Sequence, residues 1–203
     1  MRIEYYFTLL SPFCYLAGDR LERMAKANGF GIDYKPADFG RIIEHGGGLP
    51  LAKRHPFRQA YRMQELRRLP RRAGLPLNPT PAHWPTDATR ATLAVVAALE
   101  TKAGDPGATM RALMRSVWAD DADIAHKAVV EAALREGGFD PALAELSPEA
   151  EAAARTILQA NTDEAIAKGV FGAPFYIVGE EKFWGQDRLD YLEDHLKELA
   201  GKA

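Results

Sequence analysis

Three short stretches carry side chains whose types and spacing could do chemistry. The first is Ser11-Pro12-Phe13-Cys14, where an apolar run ends and a helical pattern begins. A serine and a cysteine separated by two residues, one of them proline, stand where a redox protein would place two cysteines. Cys14 is the only cysteine in the chain, so dithiol–disulfide exchange within it has no second thiol. A hydroxyl at the first position has another use. It can donate a hydrogen bond to a thiolate supplied by something else, worth roughly 1.5–3 kcal/mol as a bond to a charged group. Free backbone N–H groups and the helix dipole at such a junction favour anions, thiolates included. Ser11 serves equally as the N-cap of the helix, and Cys14, one turn in, serves equally as a small packed hydrophobe.

The second stretch is Gly169-Val170-Phe171-Gly172-Ala173-Pro174, just before an apolar strand pattern. A proline that opens a strand after a glycine loop often follows a cis peptide bond. An ordinary edge-strand proline is the plainer alternative. The third is Gly185-Gln186-Asp187-Arg188, between the last strand pattern and the last helix. Gln186, Asp187 and nearby N–H groups could hold the amino and carboxylate ends of a ligand. Asp187 could also simply cap the helix. Between Lys53 and Arg72 lie Arg54, Arg58, Arg62, Arg67, Arg68 and Arg71 against the single acid Glu65. Arg54, Arg58 and Arg62 are four apart and share a helix face. Such a face is either solvated or grips a carboxylate in bidentate fashion, Arg58 first. Tyr5, Tyr6, Trp84 and Trp118 read first as core, with Trp84, on a proline-rich loop, also a candidate to line an aromatic-substrate pocket. The five histidines form no i, i+4 pair, and no metal site is expected.

These residues need elements to hold them. Ile3 to Leu10 reads as a strand buried on both faces. Phe13 to Asn28 reads as one helix, and Gly31 to Phe39 as a second strand, making a β-α-β unit. From Ile42 to Gly48 a triple glycine marks a loop. Pro56 to Ala73 is helical in composition, with Pro70 expected to bend or break it. Residues 75–85 are too proline-rich for regular structure. Helices follow over Thr86–Ala103, Ala108–Ala119 and Ile124–Glu136, and from a Ser147 cap to about Lys168. Phe175–Val178 and Lys182–Trp184 flank Gly179-Glu180 as a hairpin, and Arg188–Leu199 closes the chain as an amphipathic helix. The order β-α-β, helices, β-β-α is that of a thioredoxin-like α/β domain with a large all-helical insertion. The expected division is 1–39 with 169–203 as the discontinuous domain and 40–168 as the insertion. With 203 residues and a formal net charge of −2, nothing global favours nucleic acid or an anionic membrane. No apolar stretch approaches the ~20 residues of a membrane span, and the N-terminus does not read as a secretory signal. A cytoplasmic protein is expected.

Together the three motifs, Ser11-Pro12-Phe13-Cys14-Tyr15-Leu16, Gly169 to Pro174 and Gly185 to Arg188, resemble the 2-hydroxychromene-2-carboxylate isomerase family. That family is close to the kappa-class glutathione transferases and lies in the DsbA-like branch of the thioredoxin fold. The resemblance covers essentially the whole chain. It implies glutathione as cofactor, with Ser11 facing the glutathione sulfur. Ala173 would pair with the tripeptide backbone beside Pro174, Phe13 would flank it, and Gln186 and Asp187 would hold its γ-glutamyl end. Arg58 and Tyr61 match the family's basic–x–x–Tyr piece and are expected to contact substrate with Trp84. The family's Asn-x-Pro-Pro-Ala, whose asparagine helps bind glutathione, has no counterpart: Gly46 to Tyr61 contains no asparagine. The implied reaction is isomerisation of 2-hydroxychromene-2-carboxylate to trans-o-hydroxybenzylidenepyruvate, or of a related aromatic catabolic intermediate, through a glutathione thiolate adduct. The implied partners are glutathione and a small aromatic carboxylate, with a homodimer possible. A kappa-like transferase or peroxidase and a non-enzymatic peptide-binding module are the alternatives. A DsbA-like oxidoreductase, lacking its second thiol, ranks last.

Overall fold

The computed structural model describes residues 1–201; the last two residues of the expected 169–203 segment lie outside them. Four strands form one sheet in the order β2 (Gly31–Pro36), β1 (Arg2–Phe7), β3 (Phe175–Val178), β4 (Glu181–Trp184). β1 runs parallel to β2 and antiparallel to β3, so that Tyr5 stands between Tyr34 and Tyr176. β1 is apolar on both faces because both are covered. Ile3, Tyr5 and Phe7 point into one core cluster, while Tyr6 points into another with Phe39, Ile42, Phe175 and Ile177.

The single helix expected over Phe13–Asn28 is two: α1 (Pro12–Leu16) and α2 (Arg20–Asn28). Gly18 adopts a φ of +60°, a left-handed conformation open to glycine at no steric cost. The chain re-aims there, so the turn carrying Ser11 and Cys14 is set independently of the longer helix. The second strand is shorter than expected, because Asp38 accepts hydrogen bonds from the N–H groups of Gly40 and Arg41 and starts α3 (Phe39–His45). That helix occupies much of the expected glycine loop, which begins only at Gly46. In α4 (Pro56–Ala73), the helix runs on past Pro70 to Ala73 rather than breaking there. Pro70 lies in the last turn, and its carbonyl accepts the Gly74 and Leu75 N–H groups that close the helix.

The middle of the chain continues as α5 (Thr89–Thr101), α6 (Pro106–Trp118), α7 (Lys127–Glu136) and α8 (Pro148–Ala167). α5 and α7 begin later than the apolar pattern suggests, because Asp87 and Asp123 first turn the chain by accepting the Thr89 and Ala125 N–H groups. Ser147 caps α8 as its spacing predicts, accepting the Ala150 N–H at 3.2 Å. α9 (Leu189–Leu199) closes the fold, preceded by a single 3-10 turn at Gln186–Arg188. The helical stretch and the sheet share one core: Leu16, Leu113, Met114, fully buried Trp118 and Leu192 pack in the same cluster as Ile3, Tyr5 and Phe7. Among the described residues no helix is long and apolar enough to cross a membrane.

Candidate active site

β1 delivers the chain to Ser11, whose extended backbone (φ −89°, ψ 119°) makes it the N-cap of α1. Its Oγ accepts the Cys14 N–H at 3.3 Å. The hydroxyl therefore keeps its own proton to give, and it points that proton at the Ala173 carbonyl over a long 3.5 Å. α1 is only five residues long, so its attraction for an anion comes from local N–H groups and this hydroxyl rather than from a summed macrodipole. The Phe13 N–H has no acceptor among the described residues. Cys14 is a different kind of group. It is buried, and burial pushes its thiol up to about 11 despite hydrogen bonds from the Thr8 backbone, Ser11 and Tyr5 that act in the opposite direction. At neutral pH it is a protonated thiol packed in the core, not a nucleophile.

The Ala173–Pro174 peptide bond is cis. Ala173 borders a groove of about 660 Å³ that runs from α3 and α4 to the 3-10 turn at Gln186. Ser11 does not itself line the groove; its hydroxyl meets the carbonyl of Ala173, which does, and Pro174 is buried. Phe13, Arg58, Tyr61, Gln186 and Asp187 also line the groove, so with Ala173 six of the nine site residues expected from the sequence border it, and Ser11 and Pro174 adjoin it through Ala173. Trp84 does not line it. Its ring packs against Trp118 at 5.6 Å, and its indole N–H donates to the Leu10 carbonyl at 3.2 Å. It therefore stands behind the Ser11 junction and meets the groove only through Arg62, whose guanidinium lies 5.3 Å from its ring centre.

Gly185 shapes the far end. It has a φ of +105°, and a Cβ there would meet Asp187 Oδ1 at 2.5 Å. The absent side chain lets the Asp187 carboxylate fold back, where it pairs with Arg188 at 3.0 Å. Asp187 is thus not the cap of α9; that position is Arg188 and has no side-chain cap. The turn is tied down from below by Arg20, which donates to the Gln186 carbonyl at 3.2 Å and pairs with Asp190.

Two features of the groove depend on how the chain folds around it. The first is an apolar rim. Leu49, Phe57, Tyr61, Phe171 and Trp184, five of the eight large hydrophobic side chains left exposed, border this one groove. Such clustering marks a binding surface. The second is charge. Arg54, Arg58 and Arg62 line the groove, yet none has a carboxylate at ion-pair distance among the described residues. Burial first, and then a neighbouring guanidinium, lower the pKa of both Arg54 and Arg62. A second hollow of about 620 Å³ lies across Gln186 and Asp187. Its Arg20, Arg23 and Arg111 are already paired with Asp190, Asp19 and Glu22. The second hollow also has Arg72, unpaired among the described residues, but the first groove gathers three unpaired arginines beside Ala173, which the Ser11 hydroxyl meets, and it is the candidate active site. Among the described residues no cluster of His, Cys, Asp or Glu is arranged to hold a metal ion.

A family model described as a DSBA-like thioredoxin domain matches residues 2–197. The chain belongs to that family. Within it, the chain is 31% identical over 199 residues to a 2-hydroxychromene-2-carboxylate isomerase of Sphingobium xenophagum, covering 96% of this chain and 97% of the relative. It is 26% identical to glutathione S-transferase kappa 2 of Caenorhabditis elegans, covering 97% of this chain and 92% of the relative. A solved 2-hydroxychromene-2-carboxylate isomerase superposes with a TM-score of 0.79 at 27% identity, over 98% of this chain and 96% of that one. These relatives place this DsbA-like protein among isomerase enzymes. Its strand-to-helix junction fits that placement, since a hydroxyl and one buried thiol stand where a redox member would need a reactive pair.

Proposed function

We propose that the protein is a glutathione-dependent isomerase that interconverts 2-hydroxychromene-2-carboxylate and trans-o-hydroxybenzylidenepyruvate, or a closely related aromatic acid. One observation carries the reading: the Ser11 hydroxyl proton is held only by a long 3.5 Å contact to Ala173, which borders an arginine-lined groove, while the only thiol of the chain is buried and protonated. A nucleophilic sulfur must then come from a bound molecule. The kappa-class relative is named for glutathione and the nearer relatives for the isomerisation, which supports both halves of the proposal.

The residues suit such a tripeptide thiol. The Ala173 N–H has no acceptor among the described residues and is free to pair with an extended backbone. Gln186 and Asp187 stand at one end of the groove for charged termini, and Phe13 flanks its floor. When bound, glutathione supplies a soft nucleophile that adds to a conjugated double bond and leaves again, so that the bond can rotate without net redox change. Ser11 directs its proton at the sulfur and stabilises its anionic form. The arginine face of α4 that lines the groove holds the carboxylate of the acid, and Phe57, Tyr61, Phe171 and Trp184 cover the aromatic ring and exclude water. Cys14 takes no part. A reducing cytoplasmic setting matches a single unpaired cysteine and belongs to the same proposal, as does a homodimer.

The test is a calorimetric titration with glutathione, followed by turnover of the chromene acid with the thiol counted before and after. Saturable binding, with the isomer formed and glutathione undiminished, is the expected result. Stoichiometric loss of glutathione would instead favour a kappa-like transferase. No binding up to millimolar glutathione would overturn the proposal.

A further inference from the structure

We infer that Arg62 is the residue that anchors the substrate carboxylate beside the reactive junction and selects acids over their neutral analogues. The identity of the acid rests on the isomerase proposal; the anion site itself does not. Three arginines line the groove, and they differ in how far their donors are committed. Arg58 is exposed to solvent, which satisfies it. Arg54 already donates from Nε to the Leu49 carbonyl at 2.8 Å. Arg62 is half-buried, and its five donors meet no carboxylate and no carbonyl among the described residues. Its charge lies over two indole rings instead. The guanidinium carbon sits 5.3 Å from the Trp84 ring centre and 6.0 Å from that of Trp118.

That arrangement is chemically incomplete. Indole faces stabilise a cation but accept none of its in-plane hydrogen bonds. A partly desolvated guanidinium with a free edge presents a planar fork that matches a carboxylate. The neighbouring Arg54 adds positive charge and no competing anion. Position then settles which carboxylate is bound. Trp84, on which Arg62 lies, hydrogen-bonds the Leu10 carbonyl, one residue before Ser11. Arg62 is therefore joined to the Ser11 junction through a single side chain, not to the Gln186 end of the groove. In an unsaturated 2-oxo acid the carboxylate stands one carbon from the conjugated system. Gripping it here holds the double bond over Ser11, where the sulfur would lie. The rigid Trp118 behind, fully buried, keeps the fork from retreating.

The experiment compares trans-cinnamate with trans-cinnamamide, two planar ligands of the same shape that differ in charge, by quenching of tryptophan fluorescence. In the native protein cinnamate should bind about ten-fold more tightly or better, the discrimination of one charge-assisted pair. Arg62→Met should bring the ratio close to one, Arg62→Lys should retain part of it, and Arg67→Met, on the exposed side of α4, should leave it intact. If Arg62→Met does not fold, Arg62→Gln keeps the volume without the charge and takes its place. An unchanged ratio in the neutral variant, or no discrimination in the native protein, would overturn the inference. Glutathione titrated into the same samples separates the two claims. Discrimination that follows Arg62 without glutathione binding would refute the isomerase proposal and leave the anion site standing; glutathione binding with no role for Arg62 would do the reverse.

Discussion

Removing the Ser11 hydroxyl should raise the pKa of a bound thiol, and the size of the effect can be worked from the geometry. In the free protein the Oγ accepts the Cys14 N–H at 3.3 Å, and its proton reaches the Ala173 carbonyl over 3.5 Å. The second contact is at the limit of a hydrogen bond and is surrendered at little cost when a sulfur anion enters. A hydroxyl bond to a charged acceptor contributes roughly 1.5–3 kcal/mol. One pKa unit is about 1.4 kcal/mol, so Ser11→Ala should raise the bound thiol by about one to two units. At a pH below both values that leaves about ten- to a hundred-fold less thiolate, with a matching fall in turnover. The same change removes a helix cap and leaves the Cys14 N–H without its acceptor, at about 1 kcal/mol of stability. For a chain of this size that is a drop of about 2–4 °C in Tm, too small to confuse with loss of the fold. The assay is thiolate ultraviolet absorbance of bound glutathione against pH, in native and Ser11→Ala protein, well below the melt. A bound thiol whose pKa stays put in the variant, with glutathione still saturating, would refute the idea that Ser11 stabilises the anion.

Cys14→Ala should leave turnover unchanged and lower stability by about 1 kcal/mol, since a buried small group is lost; in the native protein a thiol reagent should label Cys14 only as fast as the chain unfolds. Gly185→Ala should cost glutathione affinity by about ten-fold or more, because a φ of +105° and a 2.5 Å approach to Asp187 Oδ1 leave no place for the methyl group; calorimetry beside a thermal melt separates this from general unfolding. Glu164 should confer acid sensitivity. Its partial burial raises its pKa, but hydrogen bonds from Lys168 at 2.6 Å and Lys35 at 2.5 Å outweigh that and hold it below the usual carboxylate range. Its contribution is therefore present above the unfolded glutamate value of about 4.3 and lost as pH falls through the lower folded value. Thermal melts against pH should show a shallower acid decline in Glu164→Gln.

Much of this fold was legible because its signals are local. The unbroken apolar run of β1, the Ser147-Pro148 start of α8 and the Gly179-Glu180 hairpin each state their conformation within a few residues. The errors came where a single residue outvoted a pattern. Gly18 cuts a helix whose apolar spacing is otherwise continuous, and Asp38 turns the end of a strand into the cap of α3. Pro70 is harmless only because the helix was about to end, which depends on Gly74 four residues on. At the site, Ser11, Ala173, Gln186 and Asp187 were readable as motifs, since each sits beside a residue with a marked backbone role: Pro12 at the start of α1, the cis bond to Pro174, and Gly185 at a φ of +105°. Arg62 and Trp184 were not. Nothing in a run of arginines says which one turns inward onto two indoles, and an aromatic at the end of a strand reads as core until the sheet edge is seen to be open.

The chain carries a net charge of −2, yet the groove holds three arginines without a paired carboxylate among the described residues, while Arg20, Arg23, Arg111 and Arg115 elsewhere are paired. Overall charge thus says nothing about the ligand; the local imbalance does. Low-dielectric walls of Phe57, Phe171 and Trp184 focus that field. A field of one sign acts on everything that enters. It draws in a carboxylate, and it lowers the pKa of a thiol in the same way that the Ser11 hydroxyl does. The two effects reinforce each other at one place, because Arg62 lies on Trp84 and Trp84 is bonded to the residue before Ser11. Cys14 gains nothing from this field, being buried and held protonated. In the proposed reaction the scaffold would keep the electrostatics that activate a thiolate and turn them outward, onto the sulfur of bound glutathione.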